Sequence, residues 1–268
     1  MTSHAQSVGP PSPSHATIVA DQFSRQAELF ARSAALHNAA ALDLLVEAAA
    51  PLPHEESLDV ACGPGTVVMA FAARMRRSVG LDATAAMLEQ ARELAGSRGL
   101  ENVEWHLGDV YRLPFDGAVF DIVTCRFAFH HLETPDRAFA EMLRVCRPGG
   151  RVVLCDAVAS DDPAKAAAFN AMERHRDPST VEFRPLAILL DLFAKAGLPE
   201  PSMRTYQVPA ERERLIAASF PDGDDRQLLR RMIDESVEGD TMGVGARRSG
   251  GSVTFAYPAV ILVASKSA

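Results

Sequence analysis

The spacing of apolar positions changes period along this chain. Residues 17–50 contain no Pro or Gly, and apolar side chains recur there at helical intervals, as at Phe23, Ala27 and Phe30. Two helices are predicted, ended by Pro51 and Pro53. Short apolar runs then alternate with helical stretches. Leu58–Ala61 reads as a strand that stops at Gly63-Pro64-Gly65, and Thr66–Arg76 as a helix. Ser78–Leu81 is a strand, and Thr84–Ser97 a helix closed by Gly99. Strands follow at Val103–Leu107, Phe120–Thr124 and Val152–Cys155, with a helix at Pro135–Cys146 and a turn at Pro148-Gly149-Gly150. This alternation predicts an α/β fold with a mostly parallel sheet and helices on both faces. Right-handed crossovers place every strand's C-terminal end on one edge, where ligands of such sheets bind.

After residue 156 the alternation breaks. Ala164–His175, Leu186–Ala196 and Asp225–Val237 read as helices and Val253–Ala264 as a closing strand, one of two expected in this part. The expected organisation is a disordered segment over 1–16 and one domain over 17–268. Within it, 17–56 form cap helices, 57–156 a ligand-binding half, and 157–268 a second cap with the closing strands. A length of 268 residues supports this, because a chain of that size removes about three-quarters of its unfolded surface from water.

Charge narrows the partners. With 35 acids against 27 bases the net charge is −8, so the basic footprint of a nucleic-acid binder is absent. Met1–His15 is rich in Ser, Pro and His without the apolar stretch of a signal peptide. No apolar run approaches the roughly 20 residues of a membrane span. Cys62, Cys125, Cys146 and Cys155 form no Cys-x-x-Cys pair and sit in apolar surroundings. They read as buried thiols, and the protein as cytoplasmic. Oligomeric state is not legible.

The candidate chemistry lies at the strand ends. Gly63 and Gly65 follow the first strand and let backbone approach a ligand closely. Asp82 ends the second strand, 19 residues beyond Gly63, where an acid can accept hydrogen bonds from ribose hydroxyls. Asp109 follows the third strand and is placed to bond an adenine amino group. Capping of a helix start is the alternative for both acids. Together these groups fit an adenosine ligand. A dinucleotide fingerprint would need a third glycine where Val68 stands, and no P-loop Gly-Lys-Ser/Thr is present.

At this point the sequence resembles the class I S-adenosylmethionine-dependent methyltransferases. Leu58–Thr66 is similar to that family's first motif, Val79–Thr84 to its second-strand acid motif, Gly108–Val110 to its adenine motif, and Leu143–Leu154 to its Arg-Pro-Gly-Gly region. The resemblance covers about residues 20–200. It implies a Rossmann-like, seven-stranded sheet with a helical cap. It implies S-adenosyl-L-methionine as cofactor, S-adenosyl-L-homocysteine as product and a small-molecule methyl acceptor. Ala61, Gly63 and Gly65 would meet the methionine part through backbone, Asp82 with Ala83 the ribose, and Asp109 and the Val110 N–H the adenine. Met87 and Arg126 would lie near the cofactor.

Phe127–Leu132 resembles the acceptor-facing segment of the ubiquinone and menaquinone C-methyltransferases, with His130-His131 where that group often has Arg-Asn. Phe23 and Phe30 match a Phe and a Tyr of the same group, so Phe30 lacks a phenolic hydroxyl. Phe30, Phe127 and His131 are therefore the expected acceptor contacts, with Phe129 and Phe183 as further candidates for its lining. His130, whose ordinary pKa suits a base near neutrality, is the candidate catalytic residue; packing beneath the cofactor is its alternative.

Two further clusters complete the reading. Asp156, Asp161 and Asp162 follow the fifth strand, but Asp161-Asp162-Pro163 reads as a helix start and no metal is assigned. Arg174–Ser179 reads as a solvated helix end, with the rim of the acceptor site as the alternative. The function expected is methyl transfer to oxygen or carbon of a small molecule, aromatic or a secondary metabolite. The rivals are an S-adenosylmethionine-binding scaffold without methylation and an NAD-dependent oxidoreductase.

Overall fold

The structure is a computed structural model that describes residues 14–31 and 39–267. Most of the expected disordered segment lies outside the described residues. The first helix, α1 (His15–Ala31), begins two residues before its expected start, and α2 covers Ala39–Ala49. Next come β1 (Glu56–Val60), α3 (Thr66–Ala72), β2 (Arg77–Asp82), α4 (Ala85–Ser97), β3 (Val103–Leu107) and β4 (Phe120–Arg126). They are followed by α5 (Pro135–Val145), β5 (Cys146–Ala157), α6 (Pro163–Arg176) and α7 (Leu186–Lys195). The chain closes with β6 (Ser202–Glu211), α8 (Arg212–Ala217), α9 (Arg226–Glu235), β7 (Arg247–Ser249) and β8 (Ser252–Ser265).

The sheet runs β3-β2-β1-β4-β5-β8-β6, and the three-residue β7 pairs only with β8. The first five strands are parallel, and β8 runs antiparallel between β5 and β6, so β6 points the same way as the first five. The expected seven strands are thus present, with β7 as a short addition. Strand order reverses beside β1, so β1 and β4 open the crevice where a ligand can enter.

Burial explains the elements. Leu58, Val60, Val79, Leu81, Val123 and Leu154 are fully buried, and Ala138, Phe139, Met142 and Val145 of α5 pack on that face. Their spacing is the apolar stripe of a helix. Leu45, Val46, Val67 and Phe71 of α2 and α3 cover the other face against Ile122, Val153 and Ile261. A separate apolar cluster, including Phe169, Met172, Phe183, Ile233 and Phe255, holds the second cap to the sheet edge.

Three details differ from expectation. Helix α3 stops at Ala72, four residues early, because the Arg74 N–H bonds the Phe71 carbonyl in a tightened last turn. The turn at Pro148–Gly150 lies inside β5 as an irregularity, between the Phe120–Cys146 and Ile122–Arg151 pairings. Strand β6, the closing strand without an expected position, is the exposed edge of the sheet. As expected, Asp162 caps α6 by accepting the Ala164 N–H at 2.9 Å, and the four cysteines are free and buried. Among the described residues, no helix is long and apolar enough to cross a membrane.

Candidate active site

Two cavities share a wall at the C-terminal edge of the sheet. The first, of about 210 Å³, is lined by Asp59, Ala61, Cys62, Gly63, Asp82, Ala83, Met87, Asp109, Val110 and Arg126. Its outer wall comes from His15, Val19, Phe23 and Phe30 of α1. The second, of about 230 Å³, lies under the second cap. Phe23, Phe30, Phe127 and His131 line both.

Backbone conformation shapes the first cavity. Ala61 has φ 56° and Gly63 φ 52°. No atom lies within 4 Å of where a Gly63 side chain would begin, so the turn presents bare backbone to open space. The Gly63 N–H donates to Asp82 Oδ2 at 2.8 Å and the Thr84 N–H to Oδ1 at 2.8 Å. Asp82 thus ties the glycine turn to the second strand, while Thr84 occupies the N-cap position of α4. Each Asp82 oxygen keeps a second lone pair for a hydroxyl donor. Burial pushes the Asp82 carboxyl up, and these N–H groups oppose that rise. Asp109 Oδ1 accepts the Tyr111 N–H at 2.9 Å, leaving its other oxygen for a ligand donor.

Gly65 differs from expectation. It is absent from the cavity wall, and a side chain there would begin 2.3 Å from Trp105. Its φ of 79° also belongs to the region that favours glycine. The turn and the indole both require a glycine at this position.

Asp59 was not singled out in the sequence, yet it lies on this cavity's floor. Burial raises its pKa to about 7, against the Thr124 hydroxyl, which donates at 2.6 Å, and the Arg126 charge. An ionisable residue inside a central apolar strand was the signal that could have found it. Arg126 lies 4.6 Å over the Phe127 ring. Phe127 has φ 53°, a strained value for a bulky residue, which sets its ring between the two cavities. Burial pushes the Cys62 thiol well up, which keeps it protonated and unreactive.

His130 lines only the second cavity. It stacks on Phe183 at 4.0 Å and 14°. Its Nδ1 is 2.8 Å from Asp156 Oδ1. Asp156 Oδ1 also accepts the Ala157 N–H at 2.8 Å, and Oδ2 the His130 N–H at 3.1 Å. A carboxylate only accepts hydrogen bonds, so Nδ1 is the donor, and in the neutral form of the ring Nε2 carries the lone pair. Asp156, which lies within β5 rather than after it, is therefore a positioning residue for His130, a role that its expected place did not reveal. His131 donates from Nδ1 to the Ser179 carbonyl at 3.0 Å. Burial, then the neighbouring His130, pushes the His131 pKa down to about 3, so the ring is neutral. His15 of α1 donates from Nε2 to the His131 carbonyl at 2.8 Å, a link with no sequence signal.

Arg174–Ser179 does not behave as a solvated end. Asp177 and Ser179 are buried, and Arg176 and Asp177 line the second cavity. The reason is α1: Gln26 donates to Asp177 Oδ2 at 3.2 Å and covers the turn. Phe183 also lines the second cavity, whereas Phe129 packs in the core against Phe139.

The first cavity fits an S-adenosyl group. Open backbone at Gly63 and carboxylates at Asp59, Asp82 and Asp109 surround an apolar floor that includes Met87. Comparison with known proteins agrees. Residues 58–154 match the family described as a methyltransferase domain. The chain is 29% identical over 242 residues to the uncharacterized methyltransferase YcgJ of Bacillus subtilis, covering 90% of this chain and 96% of that protein. It is 36% identical over 136 residues to a demethylmenaquinone methyltransferase of Clavibacter sepedonicus, covering 50% of this chain and 54% of that one. The crystal structure of YcgJ superposes with a TM-score of 0.78 over 85% of this chain and 99% of the other, at 26% identity. Neither the scaffold without methylation nor the NAD-dependent oxidoreductase is favoured by these relatives. Ordered strand-end motifs, a cavity shaped for their ligand and these likenesses together make the chain a member of the class I S-adenosylmethionine-dependent methyltransferases.

Proposed function

We propose that this enzyme transfers the methyl group to an oxygen or carbon of a small, mainly apolar molecule held in the second cavity. The observation that carries this reading is the shared wall: Phe23, Phe30, Phe127 and His131 border both cavities. A cofactor in one and an acceptor in the other can therefore meet beside Phe127. S-adenosylmethionine, when bound, supplies an electrophilic methyl on a sulfonium. The chain's own residues bind, orient and exclude water. Asp82 and Asp109 receive hydroxyl and amino donors of the adenosyl part, with Ala83, Met87, Val110 and the Arg126 backbone beside it. Asp59 faces the cofactor's ammonium group, while Ala61 and Gly63 offer backbone. Helix α1 closes the outer side through the His15 link, which favours close approach in a dry site. His130 Nε2 takes the proton released by the acceptor, and Asp156 holds its ring in the basic tautomer. Names such as demethylmenaquinone methyltransferase among the relatives support an aromatic acceptor.

The test combines titration with transfer. S-adenosylhomocysteine should bind in calorimetry and NAD should not. Radiolabelled methyl should then pass from S-adenosylmethionine to a metabolite in a small-molecule extract. Binding of NAD alone overturns the proposal.

A further inference from the structure

Resting on that reading, the second cavity also carries a polar anchor that methyl transfer itself does not need. Its wall is mostly aromatic and aliphatic, with Phe30, Phe127, Phe183 and Leu215 among the residues. Against it stands a network built around Glu173, which is fully buried. Tyr257 donates its hydroxyl to Glu173 Oε1 at 2.7 Å, and Arg176 donates Nε to Oε2 at 2.8 Å, with Nη2 also 2.8 Å from Oε2. Both Glu173 oxygens are thus engaged. Arg176 Nη1 has no hydrogen-bond partner among the described residues, and the side chain, 16% exposed, lines the cavity.

Charge decides what that donor can accept. Asp177 also lines the cavity beside Arg176. Its oxygens are taken by Gln26 and by the Ser179 N–H and hydroxyl. Burial opposes its ionisation, but the Arg176 charge and the hydrogen bonds from the Ser179 hydroxyl and Gln26 hold its carboxyl below the usual range. Two carboxyl groups therefore face one guanidinium. An incoming phosphate or carboxylate would meet a donor already paired and a second negative charge beside it, with no counter-charge to offset its desolvation. A neutral carbonyl or hydroxyl oxygen meets only the open N–H.

We propose that Arg176, held by Glu173 and Tyr257, anchors a neutral oxygen of the acceptor and excludes anionic acceptors. The acceptor class is an uncharged ring compound with one hydroxyl for His130 and a second oxygen, carbonyl or hydroxyl, for Arg176. In the transfer, the acceptor's O–H or adjacent C–H loses its proton to His130 Nε2. The electron pair released forms the new bond to the methyl carbon, and the carbon–sulfur bond breaks onto sulfur.

The test uses three bicyclic probes on the full chain saturated with S-adenosylhomocysteine, measured by calorimetry. They are 1-hydroxy-2-acetonaphthone, its anionic counterpart 1-hydroxy-2-naphthoate, and 1-naphthol, which lacks the second oxygen. The hydroxyketone should bind about tenfold tighter than either of the others, the usual effect of one well-placed polar contact. Arg176→Met should bring the hydroxyketone down to the level of 1-naphthol without changing S-adenosylhomocysteine affinity. If Arg176→Met does not fold, Glu173→Gln serves instead. It keeps hydrogen-bonding atoms beside Tyr257 and Arg176 but removes a negative charge, and should raise naphthoate affinity several-fold. Naphthoate binding as tightly as the hydroxyketone overturns the proposal. So does an unchanged probe ranking in both variants, or no probe binding while S-adenosylhomocysteine binds. Failure of S-adenosylhomocysteine to bind instead overturns the methyltransferase reading beneath it.

Discussion

The two cavities are built from different material. The first is a product of backbone: the turn at Ala61–Gly65, the strand ends at Asp82 and Arg126, and two N–H groups that tie Asp82 in place. The second is a product of side chains from α1, the loop after β4, α6 and β8, brought together only by packing. A backbone-made cavity is fixed by the sheet and accepts one kind of ligand across many relatives. A cavity made of side chains changes with each substitution, which leaves room for acceptor choice.

The sharpest way to break this division is His130, which lines the second cavity and not the first. His130→Ala should lower turnover by about 10²–10⁴-fold, the usual worth of a general base, while S-adenosylhomocysteine affinity in calorimetry stays as in the parent. Asp156→Asn should give a comparable loss for a different reason. Each Asp156 oxygen accepts a backbone N–H, so an amide NH2 would face a donor and disturb the ring's tautomer. Nitrogen NMR of the His130 ring should show Nδ1–H in the parent and a changed tautomer in the variant. Full turnover in His130→Ala removes the base role.

The same division explains what was legible in the sequence. Short apolar strands, glycine turns and acids at strand ends follow local chemistry, so β1 to β5 and Asp82 and Asp109 could be placed from spacing. Asp59 carried a readable signal, an acid inside an apolar strand. Strand β6 carried none, because an edge strand that is mostly exposed and contains Pro209 has no apolar alternation. Arg176 and Asp177 looked like a solvated helix end because nothing local foretells that Gln26, 151 residues away, covers the turn. His15 reached the site for the same reason, through a bond to a carbonyl 116 residues distant. Gly65 is needed for its backbone, and Trp105, 40 residues on, adds a demand that local sequence does not foretell.

Asp59 tests how much stability the first cavity gives up for its ligand. Its carboxyl has a pKa of about 7 in the folded chain against 3.8 ordinarily. The folded state therefore holds the proton more tightly than the unfolded chain. That contribution is complete below about pH 4 and is lost as pH rises through 7. Asp59→Asn should remove this loss. At pH 8 the variant should be more stable than the parent by up to about 4 kcal/mol, and near pH 4 the two should converge, as read in denaturant unfolding. The gain should come with weaker S-adenosylhomocysteine binding, because the ammonium group loses its carboxylate. A variant equally stable across that range would show that Asp59 does not hold a raised pKa.

Asp82→Ala comes next in size. It removes the acceptor of the Gly63 and Thr84 N–H groups as well as the proposed ribose contact. S-adenosylhomocysteine affinity should fall about 100-fold, the scale of one charged hydrogen-bonding group, while probes of the second cavity keep their ranking.

Phe30→Tyr should have the smallest effect and draws the finest line. Phe30 lies on both cavities and is half-buried. A hydroxyl added there can stay hydrated, so unfolding stability should change by no more than about 0.5 kcal/mol. In the first cavity the proposed contacts to the ligand come from backbone and strand-end carboxylates, so S-adenosylhomocysteine affinity should move less than about twofold. In the second cavity the same hydroxyl adds a polar group to an apolar wall, and relative turnover of acceptors should shift by several-fold towards more polar ones. Equal shifts in cofactor affinity and acceptor choice would mean that one continuous site, rather than two differently built cavities, meets at Phe30.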